Sequence, residues 1–586
     1  MFAAPGHVRV DRAVRAAVAA GAPFQRVIIT VNAGCRTSVR SALERHGDVV
    51  DAEFPLIGAI GAEIHSRDVE TLAANGCVRV ISADADVRAS ALPSGRAYPP
   101  SPEPCPSQTL ISTLRDTLGL PHLAQSAPSV PTGRGVGVAI VDSGISPSDD
   151  FAGRISVFYD FTRGTGRKTS HPYDDFGHGT HIAGLIGSSG ELSQGEFQGV
   201  APGARLAVFK VLDKTGAGRT SDVIRAIEFI VANRAALDVH VINLSLGHPI
   251  FAPAAEDPLV RAVEQATAAG LVVVASAGNF GQKESDGTVG YAGITSPGNA
   301  PSAITVGAVM TKDTISRLDD EVAPYSSRGP TWYDARVKPD LVAPGHRLAS
   351  DTNLSSYLYD ALQQNRGRTL TGEPLLLLSG SSMAAAVTSG VVALALQAHE
   401  ESRAGRWGAA PALTPNLVKG ILQYSAITID GADYLTQGAG QVNADGAVAL
   451  ARAIDTSRPI GAAWLGAIVP LSGIGGASYS WAGHVIYGDT VLAGDVLAAN
   501  NIVWSTNIVW GSALREGDNI VWGTALREAD NIVWGTNIVW GANIVWSTRV
   551  IGQRIDASAP TNIVWGADIV WGTLELDNIV WGTVVR

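Results

Sequence analysis

Cysteine is nearly missing from this chain: Cys35, Cys77 and Cys105 are the only three among 586 residues, all within the first 105 positions. Three is an odd number for a disulfide framework, and the spacing fits no metal site, so small buried or unpaired thiols are expected. The long remainder has no cysteine at all, which excludes a thiol nucleophile and a disulfide-stapled fold there. Charge is sparse too, at 17% of residues, and its balance is −11. Phosphate contacts need clustered Lys and Arg, so nucleic acid is not expected as the main partner. No apolar run approaches bilayer-spanning length, so no transmembrane segment is expected. The opening MFAAPGHVRVDRAVRAAVAAGAP lacks the apolar core of a signal peptide. That leaves an intracellular protein, a misplaced start, or a signal already trimmed.

What the chain does have is apolar residues, 46% of the total, enough for a sizeable core. Its length points to one large domain with attachments. After an N-terminal arm (1–25), residues 26–90 read as a small domain. In it, 26–31 (RVIITV) is a strand, 37–45 a short helix, and 49–54 and 57–65 two more strands. Ser66 stands where a helix N-cap should, Gly76 where the C′ residue should, and 78–81 closes with a strand. The order βαββαβ is the split-βαβ pattern of a ferredoxin-like α+β fold. Pro and Ser make 91–107 a linker.

Residues 108–456 alternate strands and helices. The stretches 136–141 (VGVAIV) and 206–212 (LAVFKVL) are continuous apolar runs of strand length. Ser221 begins a helix with one apolar stripe, 241–246 is a strand, and 258–269 is a helix ended by Gly270. Residues 271–276 form another strand. This rhythm predicts an α/β fold, a parallel sheet with helices on both faces. Functional groups in such folds gather at the carboxyl ends of the strands. A connector (457–500) then leads to a repeat tail, 501–586, where Asn-Ile-Val-Trp or Asp-Ile-Val-Trp occurs nine times. These residues favour strands, and a Gly or Ser follows each Trp, so short strands with tight turns are expected.

Three motifs fall at strand ends or helix starts of the central segment. VAIVDSGI places Asp142 just past a buried strand, FGHGTHIAG opens a helix at His178, and SGSSMAAAVTSG puts Ser382 at the start of an apolar helix. Acyl transfer needs a hydroxyl nucleophile, an imidazole to take its proton, and a carboxylate to orient that imidazole. Each residue alone has a bland explanation: a turn former, a structural histidine, an N-cap. Together, and in the order Asp, His, Ser, they supply all three roles.

With these motifs, residues 130–455 resemble the subtilisin-like proteases, whose triad runs in that order. The resemblance implies a serine endopeptidase acting on proteins or peptides through an acyl-enzyme on Ser382. ASAGN at 275–279 is similar to the family motif that makes Asn279 an oxyanion donor, with the Ser382 N–H as the second. Ser245, Leu246 and Gly247 would carry substrate backbone as an added strand. Ala275, Ser276, Ala277 and Gly278 would form an open slot for the side chain before the scissile bond. GVAPGA, SSRGP, KPDLVAPG and GAGQVNADGA recur at family-like places. The chain departs from the family in having Ser381 for Thr and Ala386 for Pro, neither of which removes a reacting group. His181 is expected to be structural. No cofactor is required for the chemistry. Calcium is possible, but the usual loop, here 182–198, is poorly supplied with ligands.

The resemblance also implies that the βαββαβ segment is an inhibitor-type propeptide, an intramolecular partner that blocks the cleft of a zymogen until it is cut away. A secreted or extracytoplasmic setting is implied, with the cytoplasm as the alternative. A rival reading makes the same protease fold mainly a carrier for a binding or assembly tail.

Overall fold

The computed structural model describes residues 9–505 except 90–108, 127–129, 163, 165, 283–286, 408–409 and 489, and adds 544–546, 563–565 and 580–581 of the tail. The expected linker therefore lies outside the described residues, as does Cys105.

The N-terminal domain is built from strands Phe24–Val31, Val49–Phe54, Ala59–His65 and Val78–Ala83 and helices Arg36–His46 and Val69–Ala73. The sheet runs fourth, first, third, second strand, which is the split-βαβ order expected. Residues of the arm join it: Arg9–Val10 pairs in parallel with Val78–Ala83, and helix Arg12–Ala19 follows. Asp11 caps that helix through Val14 N at 2.8 Å and also accepts from Ala83 N at 2.6 Å. Ser66 opens a short 3-10 turn, Ser66–Asp68, ahead of the second helix. The expectation of unpaired thiols fails here. Cys35 and Cys77 form a disulfide across 42 residues, with Cα atoms 5.5 Å apart. Sequence shows only a count, and the sheet brings the start of one helix beside the start of the last strand.

The catalytic-size domain is centred on parallel strands in the spatial order Ile304–Met310, Val272–Ser276, Val241–Leu244, Gly137–Asp142, Arg205–Lys210 and Ile155–Asp160. Short antiparallel strands, Glu321–Val322 and Arg167–Lys168, finish the edges. Every residue of Gly137–Asp142, Val241–Leu244 and Val272–Ser276 is buried, because helices cover both faces; this is why their sequences read as unbroken apolar runs. From Gly137–Asp142 the chain first builds outward on one side and then crosses to the other. The carboxyl ends around this reversal carry Asp142, Ser245 and the turn to Asn279. Helix Ser381–Ser402 runs through the core. By length and composition its segment is apolar enough to cross a membrane, but it is almost wholly buried in the protein.

Residues 457–505 pack onto this body rather than merely connecting it. Trp464, Trp481 and Trp504 belong to the same buried core as the central sheet. Trp464 Nε1 donates to Leu497 O at 2.7 Å, and Trp481 Nε1 to the Ser472 hydroxyl at 2.9 Å. The first tetrapeptide of the tail departs from the strand expectation: Ile502–Ser505 is a helical turn. Trp504 is fully buried against Gly420, where an added Cβ would lie 3.0 Å from the indole ring. Its Nε1 donates to Val496 O at 3.1 Å, and Asn416 Nδ2 donates to Val503 O at 3.1 Å. Local strand propensity loses to this tertiary socket. Three later copies do contribute strands, Ile544–Trp546, Ile563–Trp565 and Val580–Trp581, paired in parallel and in register. The other copies lie outside the described residues.

Candidate active site

Asp142 ends its buried strand, and Ser143 turns the chain away. The Ser143 N–H donates to Asp142 Oδ1 at 2.7 Å, while its hydroxyl donates to Asp174 Oδ1 at 2.9 Å. Asp174 in turn caps helix His178–Gly187, accepting from Gly177 N and Thr180 N at 2.8 Å each. Gly179 N donates to the Ser143 hydroxyl at 2.8 Å. A Cβ on Gly179 would collide with the Gly144 carbonyl, so this close approach of helix and turn requires glycine. The clamp leaves His178 Nδ1 2.7 Å from Asp142 Oδ1, with both side chains fully buried. A carboxylate only accepts, so Nδ1 carries the proton and Nε2 is the basic nitrogen. Nε2 is buried and has no hydrogen-bond partner among the described residues.

Ser382 is the second residue of helix Ser381–Ser402, inside its first turn after the Gly380 cap. It exchanges hydrogen bonds with Ser245: Ser382 Oγ donates to Ser245 O, and Ser245 Oγ donates to Ser382 O, each at 3.0 Å. Ser245 is held by Asn243 Nδ2 at 2.9 Å, and Asn243 Oδ1 accepts from the Ser389 hydroxyl at 3.0 Å. Asn279 Oδ1 accepts from Ser381 N at 2.9 Å, which orients the amide with its nitrogen on the opposite side. The Ser381 hydroxyl accepts from Gly278 N at 3.1 Å, so the serine in place of threonine still uses its oxygen. Ala275, Ser276, Ala277 and Gly278 are buried behind this turn. His181, one helical turn after His178, donates from Nε2 to the carbonyls of Leu348 and Leu376, both at 3.0 Å. Burial pushes its pKa down to about 3, with the nearby His178 adding to the effect, so it is a neutral strut.

Of the edge Ser245, Leu246, Gly247, the last two residues are paired by the chain itself. Strand Asp86–Ala89 lies antiparallel between Leu246–Gly247 and Ala217–Arg219. On one side Leu246 pairs with Ala89, and on the other Gly218 pairs with Val87. Ala89 N donates to Gly216 O at 3.1 Å, and Val87 is fully buried. The second edge of the slot, Ala217–Arg219, escapes the sequence reading. Its only local signal is the Gly-Ala-Gly ahead of a helix; a Cβ on Gly218 would collide with the Val211 carbonyl.

The preceding N-terminal domain sits on helix Thr220–Leu237. Asp84 caps that helix from outside, accepting from Ser221 N at 2.8 Å and from its hydroxyl at 2.9 Å. Ala85 O accepts from Thr220 N at 2.9 Å. Farther along, Glu228 Oε1 accepts from Leu56 N at 2.6 Å, and the Arg225 guanidinium lies 5.7 Å over the Phe54 ring.

In and around the stretch after the His178 helix, the carboxylates Asp150 and Glu196 already accept hydrogen bonds from the chain. Asp150 Oδ1 accepts from Leu192 N at 3.1 Å and the Ser189 hydroxyl at 3.3 Å, and Glu196 accepts from Ser112 N at 2.8 Å. Burial, and the adjacent Asp150, push the Asp351 carboxyl well above the usual range.

Residues 133–448 match the subtilase family. Among curated proteins, serine protease AprX of Bacillus subtilis (strain 168) is 40% identical over 322 residues, covering 54% of this chain and 67% of that protein. M-protease of Shouchella clausii (strain KSM-K16) is 31% identical over 390 residues, covering 63% of this chain and 86% of that protein. Subtilisin E of Bacillus subtilis (strain 168) is 35% identical over 272 residues, with 57% of its own length spanned. Among solved structures, fervidolysin from Fervidobacterium pennivorans superposes with a TM-score of 0.52 at 21% identity, over 72% of this chain and 61% of that one. That likeness concerns the fold.

Proposed function

This chain belongs to the subtilase family as a subtilisin-like serine endopeptidase, and from that premise we propose that it is made as a self-blocked zymogen with Asp142, His178 and Ser382 as its triad. Ser382 Oγ attacks the scissile carbonyl while His178 Nε2 takes its proton, and Asp142 stabilises the imidazolium formed. The side-chain amide of Asn279 and the Ser382 N–H hold the oxyanion. His178 then protonates the leaving amine, and water, deprotonated by the same nitrogen, releases the acyl group. Protein and peptide chains are the substrates, laid as a strand along Ser245, Leu246 and Gly247. No cofactor takes part.

The observation that carries the zymogen reading is the strand Asp86–Ala89 in the slot where such a substrate would lie. Residues 26–90 are then the inhibitor. The register also selects a cut. The described pairing ends at Leu246–Ala89, next to Ser245, whose carbonyl accepts the Ser382 hydroxyl. Self-cleavage is expected at the Ser90–Ala91 bond. The Cys35–Cys77 disulfide supports an extracytoplasmic setting, since such bonds persist in oxidising compartments.

The test compares wild-type and Ser382→Ala chains by intact mass and N-terminal sequencing. Wild type should yield a mature chain beginning at Ala91, while Ser382→Ala stays whole. Purified Ser382→Ala that cuts itself at that bond, or fully active enzyme with its N-terminal domain still attached, would overturn the reading.

A further inference from the structure

The N-terminal domain gathers four side chains that no step of the proteolysis uses. His46 ends helix Arg36–His46, Asp48 follows its Gly47 turn, His65 ends strand Ala59–His65, and Asp68 lies in the turn after it. One ligand atom from each falls within 4.8 Å of all the others. Asp48 lies between the two imidazoles, 3.2 Å from His46 Nδ1 and 3.1 Å from His65 Nδ1. Asp68 closes the set, 3.7 Å from His46 Nε2 and 3.8 Å from His65 Nδ1. We propose that His46, Asp48, His65 and Asp68 form a binding site for a divalent transition-metal ion of the zinc class, which stabilises the N-terminal domain.

Geometry and donor chemistry both favour this. Ligand bonds of about 2.0–2.2 Å at a tetrahedral zinc place neighbouring ligand atoms about 3.3–3.6 Å apart, and with one atom taken from each residue the set falls within 4.8 Å, so an ion would draw these side chains inward by about an ångström. Two imidazoles select zinc, cobalt or nickel over calcium and magnesium, which prefer all-oxygen sites. Two carboxylates neutralise the ion. The Asp48 side chain is only 3% exposed and its Oδ1 also accepts from His65 N at 3.3 Å, so one ligand is already fixed in direction. Asp68 Oδ2 is buried without a hydrogen-bond partner among the described residues, an acceptor left to be satisfied. The Arg67 guanidinium, 3.7 Å from that oxygen, is mostly in solvent and can swing aside. An ion here would tie the end of the first helix to the end of the third strand, two points that only the folded domain brings together, so binding favours the folded state. Any effect on latency rests on the inhibitor reading; binding itself does not.

The experiment uses tag-free, full-length Ser382→Ala protein stripped with chelator. Titration with Co²⁺ should give one-to-one uptake and the visible absorption of a four-coordinate ion. Zn²⁺ at about a hundredfold excess over its Kd should raise the unfolding midpoint of the N-terminal domain by about 10 °C, whereas Ca²⁺ should not. His46→Asn, at a half-exposed position, and Asp68→Asn, which keeps the side-chain shape, should each weaken uptake at least tenfold without lowering the metal-free midpoint. Absence of saturable uptake, equal response to Ca²⁺, or unchanged uptake in both variants would overturn the proposal. Failure of the inhibitor reading would appear instead as active enzyme with this domain attached, with uptake intact.

Discussion

At Ser382 the hydroxyl donates to the carbonyl of Ser245 rather than to His178, so in the proposed mechanism it must rotate before His178 Nε2 takes its proton. Ser382→Ala should lower kcat by about six orders of magnitude, the scale known for subtilisin, and a fluorophosphonate probe should label wild type only. Asn279→Ala should cost about 10²–10³ in kcat, again the subtilisin magnitude, with KM changed far less. A comparable loss in KM alone would place Asn279 outside the oxyanion site. His181 makes a separate, pH-dependent contribution. Its folded pKa of about 3 lies below the ordinary histidine value of 6.5, so the unfolded chain binds the proton that the folded one refuses. Stability from this group is complete above about pH 6.5 and is lost as pH falls towards 3, a change on the order of a few kcal/mol. Urea unfolding of Ser382→Ala between pH 7 and 3 should show this slope, and His181→Gln should flatten it. An equal slope in both proteins would remove His181 as its source.

Among the elements, the slot strand Asp86–Ala89 gives the most exposed prediction. Val87 is fully buried there, and trimming it to alanine removes apolar contact worth about 1–2 kcal/mol, roughly tenfold in the hold of the block. Val87→Ala zymogen should therefore show a shorter lag before activity on a chromogenic peptide; an unchanged lag would mean that the strand does not limit release. This element also marks how far sequence can see. The strand-end and helix-start positions of Asp142, His178, Ser382 and Asn279 were legible because each stands in its own motif, and Asp142 does meet His178. Asp174 and Asp84 were not, since their roles depend on partners such as Ser143 and Ser221, 31 and 137 residues away. The βαββαβ order was legible from periodicity, but not the added edge strand Arg9–Val10, only two residues long. The pairing of Cys35 with Cys77 needed the sheet, and the helical form of the first tail copy needed the gap above Gly420.

For the whole molecule, the boundary that matters lies after the first tetrapeptide. Truncation after residue 505 should leave hydrolysis of small peptides nearly unchanged, because the groups that react all lie before it. Truncation after residue 457 strips Trp464, Trp481 and Trp504 from the main core and should lower the unfolding midpoint sharply or prevent folding. Equal thermal stability of the two truncations, read by circular dichroism, would show that 457–505 is only an appendage. The placement of cysteine then has a consequence for the finished enzyme. Both half-cystines sit before residue 90, and none follows residue 105. Closing a loop of that size removes chain entropy worth about 4 kcal/mol from the unfolded N-terminal domain in the simple loop-closure account. If that domain is the brake proposed above, a reductant weakens it and leaves the blade as it was. On the zymogen reading, the thiol balance of the surroundings governs when this protease starts, while the mature chain, with Cys105 as its one cysteine, has no internal disulfide to lose.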